Sequence, residues 1–407
     1  MTRIEAPRGT HDVLPRDQPL WQTVTGEMER LCALYGYRRI QTPVFEDTEL
    51  FARTSGVGSD IVQKEMYTFE DRSGRSLTLR PEGTAPICRA YIEHGMQREP
   101  QPVKLYTLAT MYRYAAPQRG RFREHHQLSF ECIGSADPAV DAEVLQFYDT
   151  LLRNLGVTSY ELRLNSIGDR NCRPQYVEKL NAWLDAHADA LDDEARQKRA
   201  TSPLRVFDVK NETVREALRD APTIGDSLCD ECAAHFEQVR AYLDAYGVAY
   251  TLDPTLVRGL DYYTRTTFEF IGPDESAQAS TICGGGRYDY LVEEIGGPPT
   301  PGIGFGAGIE RLVLSLELEG KTAEEPRLDV FVAVEQGQSG LTVVRDLRSS
   351  GFRVDTDYAG RSLKGQLGYA QKHANATLIL APDAWTLRRG GELDVTVRDI
   401  DHLKELL

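Results

Sequence analysis

Nowhere does the sequence approach the ~20 apolar residues that a membrane-crossing helix needs. Its opening Met1-Thr2-Arg3-Ile4-Glu5-Ala6-Pro7 lacks the apolar run of a secretory signal. A membrane or secreted protein is therefore not expected, and a cytoplasmic one is. Cysteine is sparse: Cys32, Cys88, Cys132, Cys172, Cys229, Cys232 and Cys283 are an odd seven among 407 residues, which excludes a small disulfide framework and favours reduced thiols. Excess positive charge is also missing. A net charge of −15 excludes a protein that coats nucleic acid through surplus Lys and Arg. The deficit is local: 36 Lys and Arg face 51 Asp and Glu before Arg327, and 11 face 11 from there on. Any nucleic-acid partner must be met by local basic patches. Repeats and low-complexity tracts are absent. The nearest approach to a Walker motif, Gly360-Arg361-Ser362-Leu363-Lys364-Gly365-Gln366, lacks the Lys and Ser/Thr after its second glycine.

What is present is ordinary globular material, 41% hydrophobic and 27% charged, of a length that suggests two or three domains. Trp21, Val24, Met28, Leu31 and Tyr35 follow one another at steps of three and four, which predicts an amphipathic helix stopped at Gly36. An extended piece over 38–45 follows, because Pro43 disfavours helix at Thr42 and suits an edge; a helix feeding an edge strand is a candidate dimer seam. Segments 103–114 and 127–134 are rich in Val, Leu, Tyr, Phe and Ile around a polar, basic 115–126, which predicts a hairpin with a long tip. Helices are expected over 141–155, 174–186 and 229–246, with Gly156 and Gly247 as caps of the first and last. The charged, helix-prone stretch of about 169–228 reads as a helical insertion. After the polar linker 321–326, strand and helix alternate (328–334, 340–349, 352–357, 363–372, 377–380), the pattern of a small parallel α/β domain. The expected division is 1–325 and 326–407.

Two segments have a chemical reading beside a plain one. In Gly302-Ile303-Gly304-Phe305-Gly306-Ala307-Gly308 the glycines clear one face of a strand, either so that two backbones pack closely or so that a ligand has a platform; Arg311 stands just inside the helix that follows. Arg113, Arg119, Arg121 and Arg123 crowd the hairpin tip, either as a solvated turn or as fixed guanidinium groups for phosphate oxygens. Gln127 and Glu131, four apart on the adjoining strand, share one face and tip the balance toward a site.

Taken in order, 36–47, 105–134 and 302–316 resemble the three motifs of class II aminoacyl-tRNA synthetases. Two runs narrow the resemblance to the histidyl-tRNA synthetase family: Leu256-Val257-Arg258-Gly259-Leu260-Asp261-Tyr262-Tyr263-Thr264-Arg265-Thr266 and Gly284-Gly285-Gly286-Arg287-Tyr288-Asp289. Arg8-Gly9-Thr10-His11-Asp12 and Leu79-Arg80-Pro81-Glu82-Gly83-Thr84 are similar to that family as well. The likeness covers nearly the whole chain. It implies an α+β catalytic domain with a mostly antiparallel sheet of six or more strands, the helical insertion, and a C-terminal α/β anticodon-binding domain. It implies ATP-dependent activation of L-histidine and transfer to the 3′ end of tRNA-His, with ATP entering as its Mg2+ complex, and a homodimer. By the same resemblance Arg113 and Arg258 meet the α-phosphate and Arg311 the γ-phosphate, with Arg121 and His125 also at ATP. Glu82, Gly83, Thr84 and Gln127 surround the ammonium of histidine. Glu131 and Tyr263 meet its imidazole, and Tyr262 and Tyr288 shape the pocket.

The hairpin tip departs from the family: Ala115 stands where Glu is usual, Ala116 where Arg is usual, and His125 where Phe is usual. The expectation is that His125 still stacks on adenine and that loss of the guanidinium at Ala116 changes how the first base pair of the tRNA is read. Cys229-x-x-Cys232-x-x-His235, with Cys172 upstream, has the form of half a zinc framework; with the other half missing, packing within one helix is expected and no metal is assigned. A non-catalytic, histidine-sensing regulatory paralogue of ATP phosphoribosyltransferase is the alternative reading. The C-terminal domain and the retention of Arg113, Arg258, Arg287 and Arg311 weigh against it.

Overall fold

The computed structural model describes every residue except 1–2, 57–58, 60, 210, 274–280 and 336–338. The chain divides into two compact units, Met1–Ala323 and Glu324–Leu407.

The first unit is built on an eight-stranded sheet in the order Arg38–Arg39, Val103–Tyr112, Glu124–Ile133, Gly302–Gly308, Thr281–Arg287, Thr264–Ile271, Glu161–Ser166, Thr251–Leu252. Only the two outermost pairings are parallel; the five between them are antiparallel. Period-two alternation gives the sheet two different faces. Leu128, Phe130 and Cys132 on one strand and Ile303, Phe305 and Ala307 on its neighbour point into the core, where Val24, Met28 and Leu31 of helix Gln18–Leu34 meet Leu145, Phe147 and Leu151 of helix Pro138–Leu155. Stacked rings fix that layer: Tyr37 lies 3.6 Å from Phe130, and Phe130 lies 4.1 Å from Phe147 and 5.0 Å from Phe305. The long helix begins where the Asp137 carboxylate accepts from the Ala139 N–H and ends at Gly156, whose φ of 76° suits glycine. The opposite face of the same strands carries Gln127, Ser129 and Glu131 and the glycines 302, 304, 306 and 308, and it is this face that holds the candidate site.

The expected hairpin is present, with its second strand beginning at Glu124 rather than 127. The extended piece after Gly36 is split. Arg38–Arg39 joins the edge of the large sheet, and Phe45–Asp47 joins a separate three-stranded sheet with Ser76–Leu79 and Tyr67–Glu70. The stretch 169–228 is helical, with Arg173–Ala186 the longest helix in it. Its apolar residues Tyr176, Leu180, Val206 and Leu218 share one core with Tyr262, Tyr263 and Tyr288. One local expectation fails: Cys229 is the N-cap of helix Asp230–Tyr246, outside the helix that contains Cys232.

In the second unit five strands lie in the order Val354–Thr356, Leu328–Val334, Ala374–Leu380, Trp385–Arg389, Val395–Val397. The first three are parallel and the last two antiparallel. The sheet is mixed because the tight return at Ala381–Ala384 lets the chain fold straight back, a hairpin that the charged sequence after 384 does not announce. Val330 and Val332 face one apolar layer and Phe331 and Ala333 the other, as a sheet covered on both sides requires.

Candidate active site

The floor of the site is the pairing of Glu124–Ile133 with Gly302–Gly308, in which Gly304 lies opposite Glu131, Gly306 opposite Ser129 and Gly308 opposite Gln127. A side chain at Gly304 would overlap the Glu131 carboxylate, one at Gly302 the Tyr288 ring, and one at Gly306 would come within 2.6 Å of the Gln127 amide. Both readings of the glycine strand therefore meet in one device: the cleared face is occupied by the polar side chains of the neighbouring strand and by Tyr288. Gly83 is needed for a similar reason, since a Cβ there would strike the Ser129 hydroxyl.

Above this floor Glu82 caps helix Thr84–Glu93. Its carboxylate accepts from the Thr84 N–H at 2.6 Å and the Ala85 N–H at 2.9 Å, where the helix N-terminus favours negative charge. Glu131 is fully buried, accepting from the Thr84 hydroxyl at 2.7 Å and the Tyr288 hydroxyl at 2.6 Å. Burial raises its carboxyl to about 8, against the lowering effect of those two hydroxyls. Burial raises Glu82 as well. Gln127 donates to the Ser129 hydroxyl at 2.9 Å. The Tyr262 ring lies 4.6 Å from that of Tyr263 and 6.0 Å from that of Tyr288.

Cations share the same cavity. Glu82, Thr84, Gln127, Tyr262 and Tyr263 line one cavity together with Arg113, Arg121, His125, Arg258 and Arg311. Each guanidinium is held in place. Arg113 donates to the Pro81 carbonyl at 2.7 Å, Arg121 pairs with Glu65 at 2.6 Å, Arg258 pairs with Glu269, and Arg311 donates to the Gly120 carbonyl at 3.1 Å. Burial, then the neighbouring Arg121, Arg113 and Arg258, lower Arg311 to about 10. Burial and the same positive field hold His125 at about 3, so its ring is neutral. A cavity that lowers Arg113, His125 and Arg311 in this way is short of negative charge, and its wall suits an anionic ligand.

Some expected residues lie elsewhere. Glu131, Tyr288 and Gly83 sit behind the cavity wall rather than on it. Arg119 is exposed, and Arg123 stacks at 3.8 Å on Tyr114, so two of the four tip arginines face the cleft. Arg287, fully buried, pairs with Asp141 and donates to the Ser135 carbonyl at 2.9 Å. It anchors the strand that leads to Tyr288 and does not reach the cavity. Sequence reasoning missed Glu65, Glu269 and Glu310. The last lines the cavity and holds His126 through its N–H at 2.8 Å and its ring at 3.0 Å. These carboxylates orient the cations, and no spacing marks them because their partners are 56, 11 and 184 residues away.

An antiparallel sheet whose floor presents amino-acid-sized polar groups beside a nest of arginines is the catalytic architecture of the class II aminoacyl-tRNA synthetases. The histidyl-tRNA synthetase family model matches residues 9–312. A histidine–tRNA ligase of Caldanaerobacter subterraneus subsp. tengcongensis is 50% identical over 372 residues, 90% of this chain and 89% of the relative. The apo S. aureus histidyl-tRNA synthetase superposes with a TM-score of 0.83 at 37% identity over 99% of both chains. A Bacillus halodurans C structure described as an ATP phosphoribosyltransferase regulatory subunit/histidyl-tRNA synthetase gives 0.65 at 25% identity, over 89% of this chain and 94% of that one. The chain belongs to the histidyl-tRNA synthetase family.

Proposed function

We infer that this protein is a histidine–tRNA ligase: it joins L-histidine to ATP, releasing pyrophosphate, and passes the histidyl group to the 3′ end of tRNA-His. The observation that carries the reading is one cavity lined both by Glu82, Thr84 and Gln127 and by Arg113, Arg258 and Arg311. Glu82 and the Thr84 hydroxyl, which donates to Glu131 and so turns its lone pairs outward, offer acceptors for the α-ammonium. The imidazole is read by Tyr263 and, behind it, Glu131, whose carboxylate has lone pairs beyond the two that Thr84 and Tyr288 use. A side chain lacking the imidazole N–H would leave these buried groups unpaired, which is how such a site rejects apolar isosteres.

The carboxylate oxygen of histidine attacks the α-phosphorus and pyrophosphate leaves. Arg113 and Arg258 stabilise the charge that builds on the α-phosphate, and Arg311 holds the γ-phosphate. The terminal ribose hydroxyl of tRNA-His then attacks the carbonyl and AMP leaves. Mg2+ arrives with ATP as part of the substrate complex. His125, neutral and lining the cavity, offers its flat ring to adenine. Residues 326–407 act as the anticodon-binding domain. Leu34, Val44, Phe45 and Phe69, all exposed around the edge of the 36–47 segment, form the seam of a homodimer.

Exchange of labelled pyrophosphate into ATP, run with histidine and with each other amino acid, tests the reading, with Arg258→Ala as control. Exchange with histidine alone, lost in the variant, is the expected result. Absence of exchange from protein that binds histidine would establish the regulatory alternative.

A further inference from the structure

The helical insertion is closed at its base by two short turns that the sequence keeps 57 positions apart, Cys172 and Cys229. Asp169-x-x-Cys172 precedes helix Arg173–Ala186, and Cys229-x-x-Cys232 opens helix Asp230–Tyr246. The fold brings the two pairs together: one carboxylate oxygen of Asp169 and the sulfurs of Cys172, Cys229 and Cys232 all lie within 4.8 Å of one another. The missing half of the framework that Cys229 and Cys232 suggest is thus Asp169 and Cys172, from the other side of the insertion. His235, the third member of the sequence pattern, is not part of it, and its Nε2 lies 3.6 Å from Asp141.

We propose that Asp169, Cys172, Cys229 and Cys232 bind one zinc ion, which ties the entrance of the insertion to its exit. Three thiolates and a carboxylate form a closed four-ligand shell of the kind structural zinc takes. In a tetrahedral site with Zn–S of about 2.3 Å, ligand atoms stand about 3.5–3.8 Å apart, and the Cys172 sulfur is 3.6 Å from Asp169 Oδ1. The surroundings suit anionic ligands. The Asp169 N–H donates to the Cys172 sulfur at 3.3 Å, the Asn171 N–H donates to Asp169 Oδ1 at 2.9 Å, and Cys172 and Cys229 are each the N-cap of a helix. Arg265, held at φ 48°, lies 3.5 Å from Asp169 Oδ2 and offsets the negative charge of the loaded site. Gly168 makes room, since a Cβ there would strike the Cys172 sulfur. On loading, the three thiols release their protons and no electron changes hands. Arg265 belongs to strand Thr264–Ile271, immediately after Tyr262 and Tyr263, so the ion also fastens the insertion to the wall of the candidate active site.

The test is the metal content of full-length protein purified without chelator or histidine tag, read by plasma mass spectrometry, beside Cys229→Ser and Asp169→Cys. Cys229 is the least buried of the three cysteines, which makes Cys229→Ser the variant least prone to misfold. The expected results are one zinc per chain in the natural protein and loss of it in Cys229→Ser. Asp169→Cys should retain the ion and surrender it more slowly to chelator. Cobalt reconstitution should give intense visible ligand-field bands and thiolate charge-transfer absorption. Each of the following overturns the proposal: no zinc or cobalt bound at excess metal; equal zinc in Cys229→Ser; stoichiometric iron instead; a disulfide among these cysteines in protein isolated without reductant; or an Asp169→Cys protein that loses zinc no more slowly than the natural one.

Discussion

Replacing Glu131 by Gln should make the protein more stable in neutral and alkaline solution while spoiling the site. The carboxyl is fully buried and its pKa stands at about 8, against about 4.3 in an unfolded chain. The folded state therefore holds the proton more tightly than the unfolded one. Full stability is present below the unfolded value, where both states are protonated, and is lost progressively until the pH passes the folded value. The difference in pKa corresponds to roughly 5 kcal/mol above pH 8 and roughly 4 kcal/mol at pH 7. Glutamine keeps the shape and can still accept from Tyr288 or Thr84, but it carries no charge to desolvate. The assay is urea unfolding of both proteins from pH 5 to 9. The natural protein should lose stability across that range relative to Glu131→Gln, which should follow a flatter curve. In the same variant the carboxyl partner of the imidazole is gone, a loss of about 0.5–1.5 kcal/mol for a neutral hydrogen bond, so kcat/KM for histidine in pyrophosphate exchange should fall ~2- to 12-fold. Parallel stability curves from pH 5 to 9 would refute the reasoning about burial, and an unchanged kcat/KM would refute the role given to Glu131.

Arg258→Ala should lower the exchange rate ~100- to 1,000-fold, the usual cost of losing one preorganised charge at a reacting phosphate, with unchanged melting showing that the loss is chemical. Gly304→Ala pushes a methyl group into the Glu131 carboxylate and toward the Phe130 carbonyl; the melting temperature should drop by the equivalent of about 1–3 kcal/mol and KM for histidine should rise more than KM for ATP. Asp141→Asn strands the buried Arg287, and urea unfolding should register a loss of about 3–5 kcal/mol. His126 has its pKa raised, chiefly by its hydrogen bond to Glu310. The stabilisation it gives is present below the ordinary histidine range and lost as pH rises through the raised value, so His126→Gln should be less stable than the natural protein at pH 5.5 and closer to it at pH 8.5, which denaturation at the two pH values would show.

The residues of the candidate site that were legible are those whose chemistry is local. Gly302–Gly308 announces a cleared strand face by its period of two, and Gln127 and Glu131 announce a shared face by their spacing. The hairpin over 103–133 and the strand–helix alternation from 328 to 380 followed from the same periodicities, whereas strands Glu161–Ser166, Thr264–Ile271, Thr281–Arg287, Trp385–Arg389 and Val395–Val397 did not. Illegible were the groups whose meaning lies in a distant partner. Glu65, Glu269 and Glu310 look like surface carboxylates until the fold sets them against Arg121, Arg258 and His126. Arg287 sits in a run full of site residues, yet the fold commits it to Asp141.

The sequence by itself determined the fold class, the glycine platform, the excess of arginine at one hairpin and the family resemblance, since these rest on periodicity, turn chemistry and residue type within short windows. Only the tertiary structure decided which two of four tip arginines enter the cleft, that Glu131 is buried enough to hold its proton near neutrality, and that Asp169 and Cys172 complete a ligand set with Cys229 and Cys232. Burial and contact between segments far apart in sequence set desolvation and charge pairing, and neither quantity exists until the chain has folded.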